Sequence, residues 1–259
     1  MHRRLAASFA AAALCVVTSL VHAQAPQPAQ QQGSLPQRAR NLKVLPADMP
    51  LAAVRDTMRV WARALGVRCS HCHVAREGVP GTPAQTDYVS DEKAEKEMAR
   101  RMVRMVQVIN REHLDSLPWR AEPEIQVTCE TCHRGLAEPR PLRQVLLGAY
   151  AAGGVDSVET RYRALRARFY GQAAYDFGDA TLGEVAAALR ARDRSADAMK
   201  LYLLNTRVLP NAPGAFRQLA DAQLAAGDTA AAVTSLEQVV QLAPADAQAQ
   251  RQLETLRRR

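Results

Sequence analysis

Two pentapeptides carry most of the chemistry this chain could do: Cys69-Ser70-His71-Cys72-His73 and Cys129-Glu130-Thr131-Cys132-His133, both of the form C-x-x-C-H. Two thiols three positions apart on a helical turn project to one side, where each can form a thioether to one vinyl group of a porphyrin. The histidine that follows then lies under the ring with a nitrogen toward the iron. The pattern predicts two covalently bound haem c groups, with Cys69, Cys72, Cys129 and Cys132 as attachment points and His73 and His133 as iron ligands. Other chemistries also use paired cysteines. A thioredoxin-like redox pair belongs to a βαβ context that is absent from this sequence. A four-cysteine zinc site separates its pairs by about 15–20 residues, much less than the gap from Cys72 to Cys129. Two local disulfides suit an oxidising compartment. None of these needs the histidine that closes both motifs.

The sixth iron position decides what such a haem does. Methionine opposite histidine raises the potential and closes the iron to added ligands, whereas an open position binds small molecules or supports peroxide chemistry. Met58, Met98, Met102 and Met105 are the candidates, and from spacing alone a methionine stripe serves equally well as core filler.

The elements that must position these residues follow from the apolar period. Val54, Met58, Trp61 and Leu65 recur at helical spacing, predicting an amphipathic helix over 50–65 with Asp48 as N-cap and Gly66 as its end. Met98, Met102, Met105 and Ile109 predict a longer helix over 91–114, opened by Ser90. Each helix leads into a cysteine motif, so residues 41–140 form a helix-then-motif unit used twice. This segment holds all four cysteines beyond Cys15.

Residues 1–23 have a secretory leader's order: basic Arg3 and Arg4, an apolar stretch, and Val21-His22-Ala23 before a cleavage point. Its apolar stretch is shorter than the ~20 residues that span a bilayer; if retained, it would anchor the chain. Leu14 before Cys15 argues against lipid attachment there. The expectation is export to the periplasm, with membrane association as the alternative. Residues 24–40, rich in Gln, Pro and Ala, read as a flexible linker. The formal charge of +8 comes without basic runs interleaved with aromatics, so nucleic-acid binding is not expected.

Residues 142–259 contain no Cys or His. Pro210 and Pro244 lie 34 residues apart, and at the same offset Leu182 matches Phe216, Val185 matches Leu219, Ala198 matches Ala232 and Tyr202 matches Leu236. The period resembles the tetratricopeptide repeat over 179–212 and 213–246, with Gly227 and Asp228 in a turn and a capping helix over 248–258. Gln223 stands where that family usually has an aromatic, and Ala186 where glycine is commoner. A further helix over 155–169 supplies packing that two repeats lack. A plain helical hairpin bundle is the alternative.

The stretch 57–68 before Cys69, the run Arg100-Arg101-Met102-Val103-Arg104-Met105 ending in Ile109-Asn110, and residues 127–135 around the second motif resemble the multihaem cytochrome subunit of photosynthetic reaction centres. The resemblance implies an all-α haem domain in which a helix methionine supplies the sixth ligand. Carried over by position, Met58 and Met102 take that role, with Met105 or His113 as fallback at the second haem. Two motifs correspond to half of that family's four haems; its lipid anchor is missing and a repeat module has been added. A relative in a respiratory chain is therefore as reasonable as a photosynthetic one. Arg68, Arg76 and Arg134 could pair with haem propionates or serve as ordinary surface arginines. His71, between two attachment residues, is expected to point outward.

The sequence thus predicts an exported dihaem electron carrier, not an enzyme, that exchanges single electrons with donor and acceptor proteins or a membrane redox complex. The repeats are expected to take a protein partner. The rivals are a haem enzyme or sensor with an open iron, and a repeat-based scaffold with structural haems.

Overall fold

A computed structural model of the chain describes residues 38–76, 85–118 and 124–258. The expected leader over 1–23, and residues 24–37 of the expected linker, lie outside the described residues. Residues 38–258 belong to one compact unit. Among the described residues the fold is helical apart from one short strand pair, in agreement with the all-α expectation, and no helix is long and apolar enough to cross a membrane.

Helix α1 spans Leu51–Leu65. The expected cap, Asp48, does not open it: Pro50 occupies the N-cap position and no side chain caps the first turn. Proline suits a helix start because its fixed φ fits and its missing N–H is not needed. The helix ends as predicted at Gly66, whose φ of 66° is left-handed, with the Val67 N–H reaching back to the Ala62 carbonyl. After a 3-10 turn at Cys69–His71 come strands β1, Val74–Arg76, and β2, Gln85–Asp87, paired antiparallel with Val74 opposite Asp87. Three-residue strands are too short to give a readable alternation, so the sequence did not announce them.

The second long helix starts later than predicted. Helix α2 spans Ala94–Val108 and continues as a π-helical turn over Ile109–Leu114. Ser90 does not cap it; its Oγ accepts the Glu92 N–H in the turn before the helix. The second cysteine motif forms helix α3, Cys129–His133.

The remaining helices are α4, Leu142–Phe169, bent at Gly153–Gly154; α5, Asp179–Arg190; α6, Ser195–Val208; α7, Pro213–Ala225; α8, Thr229–Leu242; and α9, Ala247–Arg257. Helices α5, α7 and α9 begin 34 residues apart, as do α6 and α8. The half of α4 beyond the bend is the extra packed helix expected over 155–169, and α9 is the expected cap. Leu182, Val185, Ala198, Tyr202, Leu219, Ala232 and Leu236 are all buried, and Phe216 is partly so. The period is thus a period of core positions. Asp228 caps α8 by accepting the Ala231 N–H. Gln223, where an aromatic was expected, accepts a hydrogen bond from Ser235 Oγ at 2.7 Å.

The core is unevenly distributed. Among the described residues, the only buried apolar side chains before Leu142 are Val54, Ala64 and Val103. All the others belong to the helices from α4 onward, except Phe177 in the connection between α4 and α5.

Candidate haem-attachment sites

Each cysteine motif forms a single turn, the form that points positions i and i+3 the same way. In the first, the His71 N–H donates to the Arg68 carbonyl and the His73 N–H to the Cys69 carbonyl at 3.0 Å. In the second, Thr128 precedes the turn and its N–H donates to Thr131 Oγ1 at 3.0 Å, while the Arg134 N–H donates to the Glu130 carbonyl. All four thiols are unpaired, with Cys69 and Cys132 exposed and Cys72 and Cys129 half-buried. Burial pushes the Cys72 thiol up, with Glu95 adding to the shift, and burial raises Cys129 as well. A redox-active C-x-x-C pair has the opposite property, a lowered thiol pKa. Among the described residues no three His, Cys, Asp or Glu side chains converge as a metal site would require.

The two histidines sit differently. His133 Nδ1 lies 2.8 Å from the Leu136 carbonyl. A carbonyl can only accept, so Nδ1 carries the proton and Nε2 keeps its lone pair for a metal. His73 Nδ1 is buried and has no hydrogen-bond partner among the described residues. Its ring meets Tyr88 edge-on, with centroids 5.1 Å apart. Burial lowers the His73 pKa, and the Lys96 and Arg100 cations push it the same way.

The supports of the second motif come from three directions. Asn110, in the π-helical turn, grips Val127 through both backbone groups: its Nδ2 donates to the Val127 carbonyl at 2.9 Å and its Oδ1 accepts the Val127 N–H at 2.8 Å. The Gly135 N–H donates to the Ala64 carbonyl at 2.8 Å, tying the exit of α3 to the end of α1. Arg134 Nη1 donates to the Ala173 carbonyl, and Leu136 packs against the core of the helical repeats. Sequence reasoning missed these supports. No local pattern gives Asn110 a role; only its closeness to Val127 in the fold reveals one.

The first motif rests on α2. Lys93 Nζ donates to the carbonyls of Ser70 and His71, the latter at 3.3 Å. Beneath it lies a polar knot rather than an apolar core. Asp91 accepts from Asn41, from Lys43 at 2.7 Å and from Arg100 at 2.9 Å, and pairs with Lys96 at 3.2 Å. These partners hold its carboxyl well below the usual carboxylate range, the Arg100 hydrogen bond most of all. Lys96 also donates to the carbonyls of Tyr88, Val89 and Ser90.

Helix α2 is turned opposite to ordinary expectation. Its buried residues are Lys96, Arg100 and Val103, while Met98, Met102 and Met105 are 52%, 39% and 47% exposed. The methionine stripe does not fill a protein core. Met58 is half-buried on α1, on the stripe that also carries buried Val54. His113 is exposed in the π-helical turn, and His71, expected to point outward, is half-buried. Of the three arginines considered for propionates, Arg76 is engaged elsewhere, paired with Asp87 and Glu92 at 2.9 Å each. These carboxylates raise its pKa, and the Ser90 N–H, then Arg76 and the Val89 N–H, hold the Asp87 carboxyl down at about 2. Arg68 is exposed at the entry to the first turn.

The residues present fit haem c. They offer paired thiols on single turns, an imidazole with its far nitrogen committed to a carbonyl, an exposed thioether stripe, and a segment short of apolar core.

No curated protein matches the chain. Among solved structures, the chain is similar to the first tetratricopeptide repeat domain of Spaghetti (RPAP3) bound to an HSP90 peptide, at 17% identity and a TM-score of 0.31, over 45% of this chain and 88% of that one. PcrH from Pseudomonas aeruginosa is similar at 20% identity and 0.30, over 44% and 88%. The Yersinia enterocolitica type III secretion chaperone SycD, in complex with a peptide of the translocator YopD, is similar at 15% and 0.31, over 45% and 89%. Residues 75–144 match the family described as the photosynthetic reaction centre cytochrome C subunit, a stretch that takes in α2, the π-helical turn and the second cysteine motif and begins just after His73.

Proposed function

We propose that the chain is an exported dihaem c-type cytochrome that carries single electrons between a donor and an acceptor protein. The observation that carries this reading is the exposed methionine face of α2 above a segment with almost no apolar core, beside two C-x-x-C-H turns. A segment of this size needs an interior, and two porphyrins supply one. When bound, each haem iron provides a one-electron couple. Cys69 and Cys72 would hold one group and Cys129 and Cys132 the other. His73 and His133 would each ligate an iron, with Met58 and Met102 as the further ligands. The chain's own contribution is to fix the rings, exclude water from the irons and set their potentials. Residues 1–23 direct export to the periplasm, and the helical repeats dock a protein partner.

Expression with a c-type maturation system, followed by extraction in acid and organic solvent, tests the reading. Two haems retained per chain are expected. So is a ferric charge-transfer band of Met-ligated iron, which Met58→Ala and Met102→Ala each diminish. Retained haems with high-spin iron in the unsubstituted chain would point to an enzyme or sensor instead, and no retained haem would end the cytochrome reading.

A further inference from the structure

The two histidines differ in what holds them, and the difference has a direction. A ligating histidine that donates its other ring N–H to a carbonyl is a stronger donor to the metal, and stronger donation favours the ferric state. His133 has that partner in the Leu136 carbonyl at 2.8 Å. His73 has a buried Nδ1 without a partner among the described residues. Fixed charge acts in the same sense. The Lys93 ammonium rests on the Ser70 and His71 carbonyls within the first turn. Lys96 and Arg100 lie behind that turn, offset by Asp91. Asp87 and Glu92 on the same side are matched by Arg76. At Cys72 the Glu95 carboxylate opposes Lys93 and outweighs it, whereas at His73 the Lys96 and Arg100 cations each outweigh Asp87. The second turn carries a carboxylate of its own, Glu130; Arg63 and Arg134 line the same cavity, and Arg134 is turned away to the Ala173 carbonyl. A cation disfavours the more positive ferric centre and an anion favours it.

We infer that the iron site at His73 is the more oxidising of the two, so that in a chain holding one electron the electron rests at His73. This rests on the dihaem reading above. One electron passes from the His133 site, which is oxidised, to the His73 site, which is reduced; no bond forms or breaks and no proton moves. The polarity of the carrier then runs from the end tied to the helical repeats toward the end resting on α2.

Spectroelectrochemical titration of the full haem-loaded chain tests this, with Lys93→Gln and Glu130→Gln beside the unsubstituted protein. Two one-electron waves are expected. Lys93→Gln should lower the upper wave and leave the lower in place, and Glu130→Gln should raise the lower wave alone. As an independent readout, the imidazole N–H slowest to exchange in heavy water should belong to the haem of lower potential. Coincident waves, a Lys93→Gln shift confined to the lower wave, or waves unmoved by both variants would overturn the inference while leaving a dihaem carrier standing. A chain that retains no haem overturns both.

Discussion

The junction of α1 with the second cysteine motif rests on a close approach that one methyl group should break. At Gly66 the backbone is left-handed, and a Cβ built there would lie 2.0 Å from the Gly135 carbonyl oxygen and 2.8 Å from its carbon. Gly66→Ala therefore meets two costs. An L-residue in left-handed conformation costs about 1–2 kcal/mol. The displaced Gly135 segment also loses the hydrogen bond from its N–H to the Ala64 carbonyl, worth about 1 kcal/mol. Together they predict a loss of about 2–3 kcal/mol, or a fall of roughly 5–10 °C in the thermal midpoint for a chain of this size. Gly135→Ala separates the two costs. Its φ is also left-handed, at 83°, but nothing lies within 4 Å of its Cβ, so only the conformational part, about 1–2 kcal/mol, applies. Gly148→Ala, on α4 with open space around its Cβ, should gain about 0.5–1 kcal/mol from helix propensity. Thermal unfolding of the haem-loaded protein followed by circular dichroism ranks the three. If Gly66→Ala unfolds with Gly135→Ala, the contact contributes nothing; if it unfolds with the parent, the reasoning fails entirely.

Asn110→Ala removes both hydrogen bonds to Val127 and should cost about 1–3 kcal/mol; haem retained after extraction should fall toward one per chain, and unchanged stoichiometry would deny Asn110 its positioning role. Asp91→Asn tests the polar knot through pH. The Asp91 carboxyl is depressed in the folded chain, so its contribution is present above the unfolded carboxylate value, near 4, and is lost as pH falls toward the folded one. The urea midpoint of Asp91→Asn should therefore lie below the parent's at pH 7 and approach it at pH 3; a gap that stays constant with pH would refute the assignment.

Much of the organisation was legible because it is periodic. A 34-residue repeat of small and large apolar positions can only be a stack of helix pairs whose shared faces are buried, and Leu182, Val185, Ala198 and Leu236 are buried accordingly. The cysteine turns were legible from spacing, since i and i+3 share a side of any helical turn. The helix starts were misread, for a physical reason. Asp48 and Ser90 are good capping types, but Pro50 already fixes the first turn of α1, and Asp87 and Ser90 hydrogen-bond to the N–H groups of their own turn ahead of α2. The pairing of Arg76 was not legible, because its carboxylate partners are Asp87, set across the strand pair, and Glu92, beyond that pair, neither of them a sequence neighbour. The grip of Asn110 on Val127 is likewise a contact across a loop, and no local pattern marks it.

The methionines of α2 show where periodicity stops being informative. Met98, Met102 and Met105 satisfy the pattern of a core-facing stripe, yet the face that turns inward carries Lys96 and Arg100. Two buried cations are tolerated only because Asp91 and three backbone carbonyls receive them. A sequence shaped only for protein–protein packing would have put the thioethers inward and the cations out, since that arrangement needs no polar knot. The inversion makes sense when the apolar partner of the methionine face is not protein. The thin core before Leu142 and the outward methionine stripe are then two sides of one requirement, space and ligands for a flat apolar group on each cysteine turn. The anchoring of the second turn to α1 and to the helical repeats has a further consequence. Leu136 packs into the repeat core and Arg134 reaches Ala173, so cutting the chain near residue 145 would remove support from His133 as well as the repeats. The two parts are distinct in sequence pattern but share the packing that positions the second site.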